Sequence, residues 1–218
     1  VNGRADPPAS GPRGSVIVFA RVPRLGQVKS RLAATLGDAV ALEAHRQLLD
    51  ATLATVGACA GVERWLCLAD GQGGPPTDAD LAPAGFRLSW QREGDLGARM
   101  AHALREGVAR GLPAVLVGCD CPPLDVRVLE SAFAALAQVD IVFGPTEDGG
   151  YALVGARRDL PAVFANIDWG SDRVMAQTRE RLVCAGAAWR ELPALWDVDD
   201  EADWRRWQHW RTTGNAGA

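Results

Sequence analysis

Runs of five or six apolar, often β-branched residues recur along this chain. Each is separated from the next by a longer segment whose apolar residues return every three or four positions. SVIVFA at 15–20 and AVLVGC at 114–119 are short for helices and too continuously apolar for a solvated sheet edge. Comparable runs stand at 64–69, 86–90, 140–144 and 151–155. Helical periodicity occupies 28–36, 39–57, 96–110, 126–137, 172–185 and 200–211. Strands alternating with amphipathic helices predict βα units around a mostly parallel sheet, in one α/β domain over 15–211. A Gly/Pro-rich disordered tail is expected at 1–14, a frayed end at 212–218 and a surface loop at 71–83.

The chain's 48% apolar content can fill a core without metal or disulfides. A net charge of −4 argues against nucleic acid as the main partner, which normally demands a basic face. Neither an 18-residue apolar run nor a signal-peptide pattern occurs, so no membrane partner is expected. The cysteines at 59, 67, 119, 121 and 184 are odd in number and lack paired zinc spacing, which suits a reduced, cytoplasmic protein.

In an open parallel sheet, ligands bind beyond the carboxyl ends of the strands. The first such segment, RVPRLGQVKSRL, carries Arg21, Lys29 and Arg31, with Lys29 expected in the first turn of a helix. Lys29 is the single lysine among 23 basic residues, which suggests that a compact ammonium is needed there. A helix start with several cations suits phosphates. A Walker A loop is absent, because no glycine directly precedes Lys29.

GCDCPPLD places Asp120 directly after a buried strand, a natural position for a ligand to Mg²⁺ or Mn²⁺, while Asp125 caps the next helix. In GPTEDGGYALVG, either Glu147 or Asp148 can address a reacting centre, and Gly149 and Gly150 let the backbone approach a ligand. In QREGDLGARM, Asp95 can cap a helix and Gly94 can allow close contact with a donor or acceptor. The late stretch WDVDDEADW offers Asp197 and Asp199 as a second metal ligand. Trp204, Trp207 and Trp210 form one helical stripe, suited to core packing or to a homodimer surface. His45, His102 and His209 are scattered in helical patterns and read as structural.

FARVPRLGQVKSRL, GDLGARM, GCDCPPL, GPTEDGGYALVG, FANIDWGSDRV and DVDDEADW occur here in that order. Together they resemble the bacterial radical-SAM/selenodomain-associated transferases, some of which are labelled arsenosugar-biosynthesis glycosyltransferases. The resemblance spans roughly residues 15 to 205. It implies the nucleotide-diphospho-sugar transferase (type A glycosyltransferase) fold, a three-layer α/β/α domain with a mixed, mostly parallel sheet. More distantly, the KSRL loop, the aspartate-proline turn and the DVD end resemble phospholactate guanylyltransferases and other nucleotidyltransferases of that fold. In those relatives the first loop holds nucleotide phosphates. An aspartate at the place of Asp120 binds the metal, completed by an acid here matched by Asp199 or Asp197. The chain departs from the family at Glu93, where glycine is usual, at Asp200–Glu201, where Thr-Pro is usual, and at Ser30, where threonine is common.

The expected activity is therefore metal-dependent transfer from a nucleotide-activated donor. The leading form is transfer of a sugar from a nucleoside-diphosphate sugar to a small-molecule acceptor, with Arg21, Lys29 and Arg31 on the donor phosphates. Asp120 and Asp199 would hold Mg²⁺ or Mn²⁺, and Asp148 or Glu147 would position or deprotonate the acceptor. One alternative is nucleotidyl transfer from a nucleoside triphosphate with release of pyrophosphate. Another is a nucleotide-binding module without turnover.

Overall fold

The computed structural model describes residues 11–69 and 82–213. Its elements run β1 (Ser15–Arg21), α1 (Ser30–Leu36), α2 (Asp38–Ala58), β2 (Glu63–Ala69), β3 (Phe86–Trp90), α3 (Leu96–Val108), β4 (Ala114–Gly118) and α4 (Val126–Leu136). They continue with β5 (Ile141–Pro145), β6 (Tyr151–Ala156), a 3₁₀ turn (Pro161–Phe164), α5 (Val174–Cys184), β7 (Trp189–Glu191) and α6 (Glu201–Thr213). The sheet has seven strands in the order β3-β2-β1-β4-β6-β5-β7.

β1 pairs in parallel with β2 and β4, β2 with β3, and β5 with β7. β6 alone runs the other way, between β4 and β5. The sheet is thus mixed and mostly parallel, as expected. The carboxyl ends of β1 and β4 open on the same rim as the turn that joins β5 to β6.

Two hydrophobic layers explain the strand pattern. Val16, Val18 and Ala20 of β1 face α2 and α4, where Leu53, Val56, Leu129 and Leu136 pack against them. Ile17 and Phe19 face the opposite side, with Met100 and Leu104 of α3 and Leu182 of α5. A strand covered on both faces must be apolar at every position, and Val16, Ile17 and Val18 are fully buried. A third, smaller cluster joins α1, α2 and α6 through Leu32, Leu48, Val198, Trp204 and Trp207. Trp204 and Trp207 are spent inside the chain, with their rings 5.2 Å apart.

Several boundaries differ from expectation. The short strand β7, Trp-Arg-Glu, carries no apolar run to mark it, and its partner β5 defines it. α1 begins at Ser30, so Lys29 lies just outside the helix and not in its first turn. Residues 1–10, 70–81 and 214–218 lie outside the described residues, and with them most of the expected tail, loop and frayed end. Arg13 belongs to the fold, since its backbone N–H bonds to Gly61 and its guanidinium pairs with Glu130. Thr212 and Thr213 continue α6.

Candidate functional site

A cleft of about 1060 Å³ opens beyond the carboxyl ends of β1 and β4. Arg21, Lys29, Arg31, Gln91, Arg99, Asp120 and Asp199 contribute its polar groups. This is where a parallel sheet exposes free backbone groups and loops to a ligand. Arg21 ends β1, and Asp120 follows β4 at the neighbouring tip. Asp199 arrives from the far end of the chain because the Val198 N–H bonds to the Asp120 carbonyl.

At the centre is Lys29. Its Nζ lies 2.6 Å from Asp120 Oδ1 and 3.7 Å from Asp199 Oδ1, and it donates to the Val198 carbonyl. The side chain is only 4% exposed, whereas the Asp120 and Asp199 side chains are 42% and 39% exposed toward the cleft. The backbone of Lys29 adopts φ 51°, ψ 51°, the left-handed region. That region costs a residue with a Cβ about 1–2 kcal/mol. The cost is accepted where the ammonium gains two carboxylates and a carbonyl. Arg31 Nη1 reaches Asp199 Oδ2 at 3.1 Å from the outer side.

The electrostatics are lopsided. Burial works to raise the Asp120 carboxyl, but Lys29 overrides it and holds the group below the usual carboxylate range. Burial raises Asp199, which Lys29 only partly offsets against the Asp120 charge. Asp197 is pushed up to about 7, first by burial and then by the carboxylates of Asp148, Asp199 and Asp120. Burial and neighbouring carboxylates thus raise both Asp197 and Asp199. Such crowding of carboxylates suits a bound divalent cation, and the exposed carboxylate oxygens of Asp120 and Asp199 are hard donors of the kind Mg²⁺ and Mn²⁺ take. Among the described residues, His45, Cys119 and Asp120 form one further grouping, with ligand atoms within 4.8 Å of one another. His45 Nε2, however, donates to the Arg21 carbonyl at 2.9 Å, and burial pushes the Cys119 thiol well up, so both read as structural groups.

A second cavity, of about 140 Å³, adjoins the cleft at Leu96, which lines both. Thr146, Asp148, Gly150, Tyr151, Trp169 and Asp197 surround it. Asp148 is held by the Thr146 hydroxyl and by the Gly150 N–H at 3.0 Å. Tyr151 and Trp169 meet edge to face at 6.2 Å and form an aromatic wall.

The two adjacent acids therefore part company. Asp148 faces the small cavity, while Glu147 makes a two-pronged pair with Arg206 of α6, at 2.8 and 3.2 Å, and lines neither recess. Gly94 and Asp95 also line neither. Asp95 caps α3 by accepting from the Ala98 N–H at 2.8 Å, and Asp125 caps α4 in the same way through Val128. Gly149, at φ 89°, is required by packing, since a Cβ there would lie 2.1 Å from the Asp172 carbonyl oxygen. Gln91, Arg99 and Trp169 lie in the segments QREGDLGARM and FANIDWGSDRV, but none of the three stood among the expected site residues. The fold singles them out, Gln91 and Arg99 in the large cleft and Trp169 in the small cavity. Burial and the nearby Arg21 charge depress Arg99, which marks a spot short of negative charge.

A family model described as an uncharacterized protein conserved in bacteria, DUF2064, matches residues 52–171. No curated protein matches the chain. Among solved structures, one from Desulfovibrio desulfuricans G20, proposed to be a nucleotide-diphospho-sugar transferase, is 29% identical with a TM-score of 0.80. That match covers 94% of this chain and 90% of the other. The Mycobacterium tuberculosis H37Rv protein Rv0371c, solved in complex with manganese, is 22% identical with a TM-score of 0.55, covering 90% of this chain and 98% of its own. A CMP:2-keto-3-deoxy-manno-octonic acid synthetase, solved with CTP, is 11% identical with a TM-score of 0.56, covering 91% and 98%. These likenesses show the nucleotide-diphospho-sugar transferase fold.

Proposed function

This chain belongs to the bacterial DUF2064 family, and from that premise we propose that it is a metal-dependent transferase using a nucleotide-activated donor. The leading form passes a sugar from a nucleoside-diphosphate sugar to a small-molecule acceptor. One observation carries the reading. The lone lysine and the strand-end aspartate, 91 positions apart, meet at 2.6 Å inside the large cleft. Cationic and carboxylate groups thus converge on one point, as a diphosphate and its counter-ion require. The order of motifs from Lys29 to Asp199 supports placing the chain among the radical-SAM/selenodomain-associated transferases.

Each residue has a role in this scheme. Arg21, Arg31 and Arg99 line the cleft and offer fixed positive charge to the donor phosphates. Asp120 and Asp199 would hold Mg²⁺ or Mn²⁺. Bound there, the cation would neutralise charge that grows on the leaving diphosphate. Asp148, fixed by Thr146 and Gly150, addresses an acceptor hydroxyl in the small cavity, orienting it and taking its proton as the new bond forms. Tyr151 and Trp169 keep water off that hydroxyl. Five free cysteines, four of them buried, suit a reduced cytoplasmic setting. Among the described residues, no helix is long and apolar enough to cross a membrane.

Nucleotidyl transfer is the second reading, favoured by the three arginines that give this cleft enough positive charge for a triphosphate. Product analysis separates the two. A panel of nucleotide sugars with Mg²⁺ or Mn²⁺ should release nucleoside diphosphate, while triphosphates should release no pyrophosphate. Pyrophosphate release with no turnover of any nucleotide sugar would reverse the assignment.

A further inference from the structure

The Lys29 ammonium stands within ion-pair range of both Asp120 and Asp199, the two carboxylates proposed to hold the metal. It bonds Asp120 Oδ1 at 2.6 Å and the Val198 carbonyl, and Asp199 Oδ1 stands at 3.7 Å, within ion-pair range. At 4% exposure it is almost wholly enclosed by these groups, which compete with any phosphate for it. A divalent cation on the same carboxylates would meet the ammonium at contact range, where like charges repel strongly. The two positive charges are therefore alternatives, unless an anion arrives to take one of them.

We infer that Lys29 is an internal stand-in for the divalent cation, holding Asp120 and Asp199 together before metal binds and passing to the donor's diphosphate when metal and donor enter together. The inference rests on the proposed transferase reading and adds an order of events to it. A lysine suits the exchange because its charge is compact and its four-carbon stem swings freely, whereas a planar guanidinium would be locked to one carboxylate. Arg21 and Arg31, which line the same cleft, mark where the diphosphate would receive it. By linkage, anything that draws the ammonium away raises metal affinity, and the metal in turn raises affinity for the diphosphate.

The test uses Mn²⁺ alone, pyrophosphate alone and both together, on the full chain, with free Mn²⁺ read by electron paramagnetic resonance. Lys29→Met and Lys29→Asn, the latter better suited to positive φ, should bind Mn²⁺ alone at least tenfold more tightly than wild type. Affinity for pyrophosphate in the presence of Mn²⁺ should fall. Asp120→Asn is the control. If it binds Mn²⁺ as well as wild type does, the metal-site reading fails and the inference with it. If it loses Mn²⁺ while the Lys29 variants gain nothing, the metal site stands and the stand-in role is overturned.

Because Lys29 is the chain's single lysine, ¹⁵N-lysine labelling gives one side-chain ammonium signal. That signal should shift when Mg²⁺ and pyrophosphate are added together to wild type. An unmoved signal at saturation would overturn the inference even if neither Lys29 variant folds.

Discussion

Two carboxylate–cation clusters stand at opposite ends of the same sheet. At the amino end of β5, Asp140 accepts from Arg157 at 2.8 and 3.0 Å, from Arg158 at 2.9 Å and from the Ala188 N–H at 3.2 Å. One acid there meets two arginines, and their bonds hold its carboxyl far below the usual range. At the carboxyl rim the pairing is incomplete. Asp120 and Asp199 share Lys29, Asp197 is forced up to about 7 by burial and neighbouring carboxylates, and Arg99 is depressed by burial and by Arg21. The first cluster is satisfied by the chain itself. The second leaves a local imbalance, with carboxylates crowding Asp197 and Arg21 crowding Arg99. Proteins tolerate such an imbalance where they bind or react, which is why the rim and not the base is the candidate site.

The contrast can be broken most forcefully at Asp120. Asp120→Asn should leave the fold intact yet abolish metal-dependent donor binding and cut turnover by about 10²–10³-fold, the range for losing one electrostatic contact to a transition state. Unchanged donor affinity in Mg²⁺, measured by calorimetry, would remove the site's functional meaning. Asp148→Asn should spare donor binding and depress kcat, so a rise in donor KM at unchanged kcat would deny it the acceptor role.

At the other end, Asp140→Asn should lower stability by about 1.5–3 kcal/mol at pH 7, as expected for hydrogen bonds to charged groups, with no change in activity. Asp140 has a depressed folded-state pKa. Its contribution is therefore present above about pH 4, the region of an unfolded aspartate, and is lost as pH falls toward the folded-state value. Wild type and variant should converge in urea midpoints as the pH drops through that window. Least of all, Glu147→Gln should change neither activity nor melting temperature, because its pair with Arg206 is exposed and faces neither recess.

Much of this arrangement can be read from residue order, for reasons that are themselves physical. A strand buried on both faces leaves an unbroken apolar run, so β1 and β4 declare themselves, and the residue after each run must lie at the rim. Asp120 is legible on that ground alone. What the order hides is direction and exact orientation. An apolar run does not say which way its strand runs, so β6 could be found but not its reversal. Glu147 and Asp148 are neighbours of like charge, and only the bonds from Thr146 and Gly150 turn one inward while Arg206 turns the other out. The left-handed backbone at Lys29 has no local signature, since glycine or asparagine would normally mark it. Its cause lies with Asp120 and Val198, far along the chain.

The two recesses that meet at Leu96 have largely separate ancestries within the chain. The larger is walled mainly by residues 19–31, 45, 91–99 and 118–120, the smaller mainly by residues 146–151 and 169–174. Exchanging the second set between relatives should therefore redirect what is modified while preserving what supplies the group. Nature, or an engineer, could retool one half of the chemistry by grafting a short stretch of polypeptide.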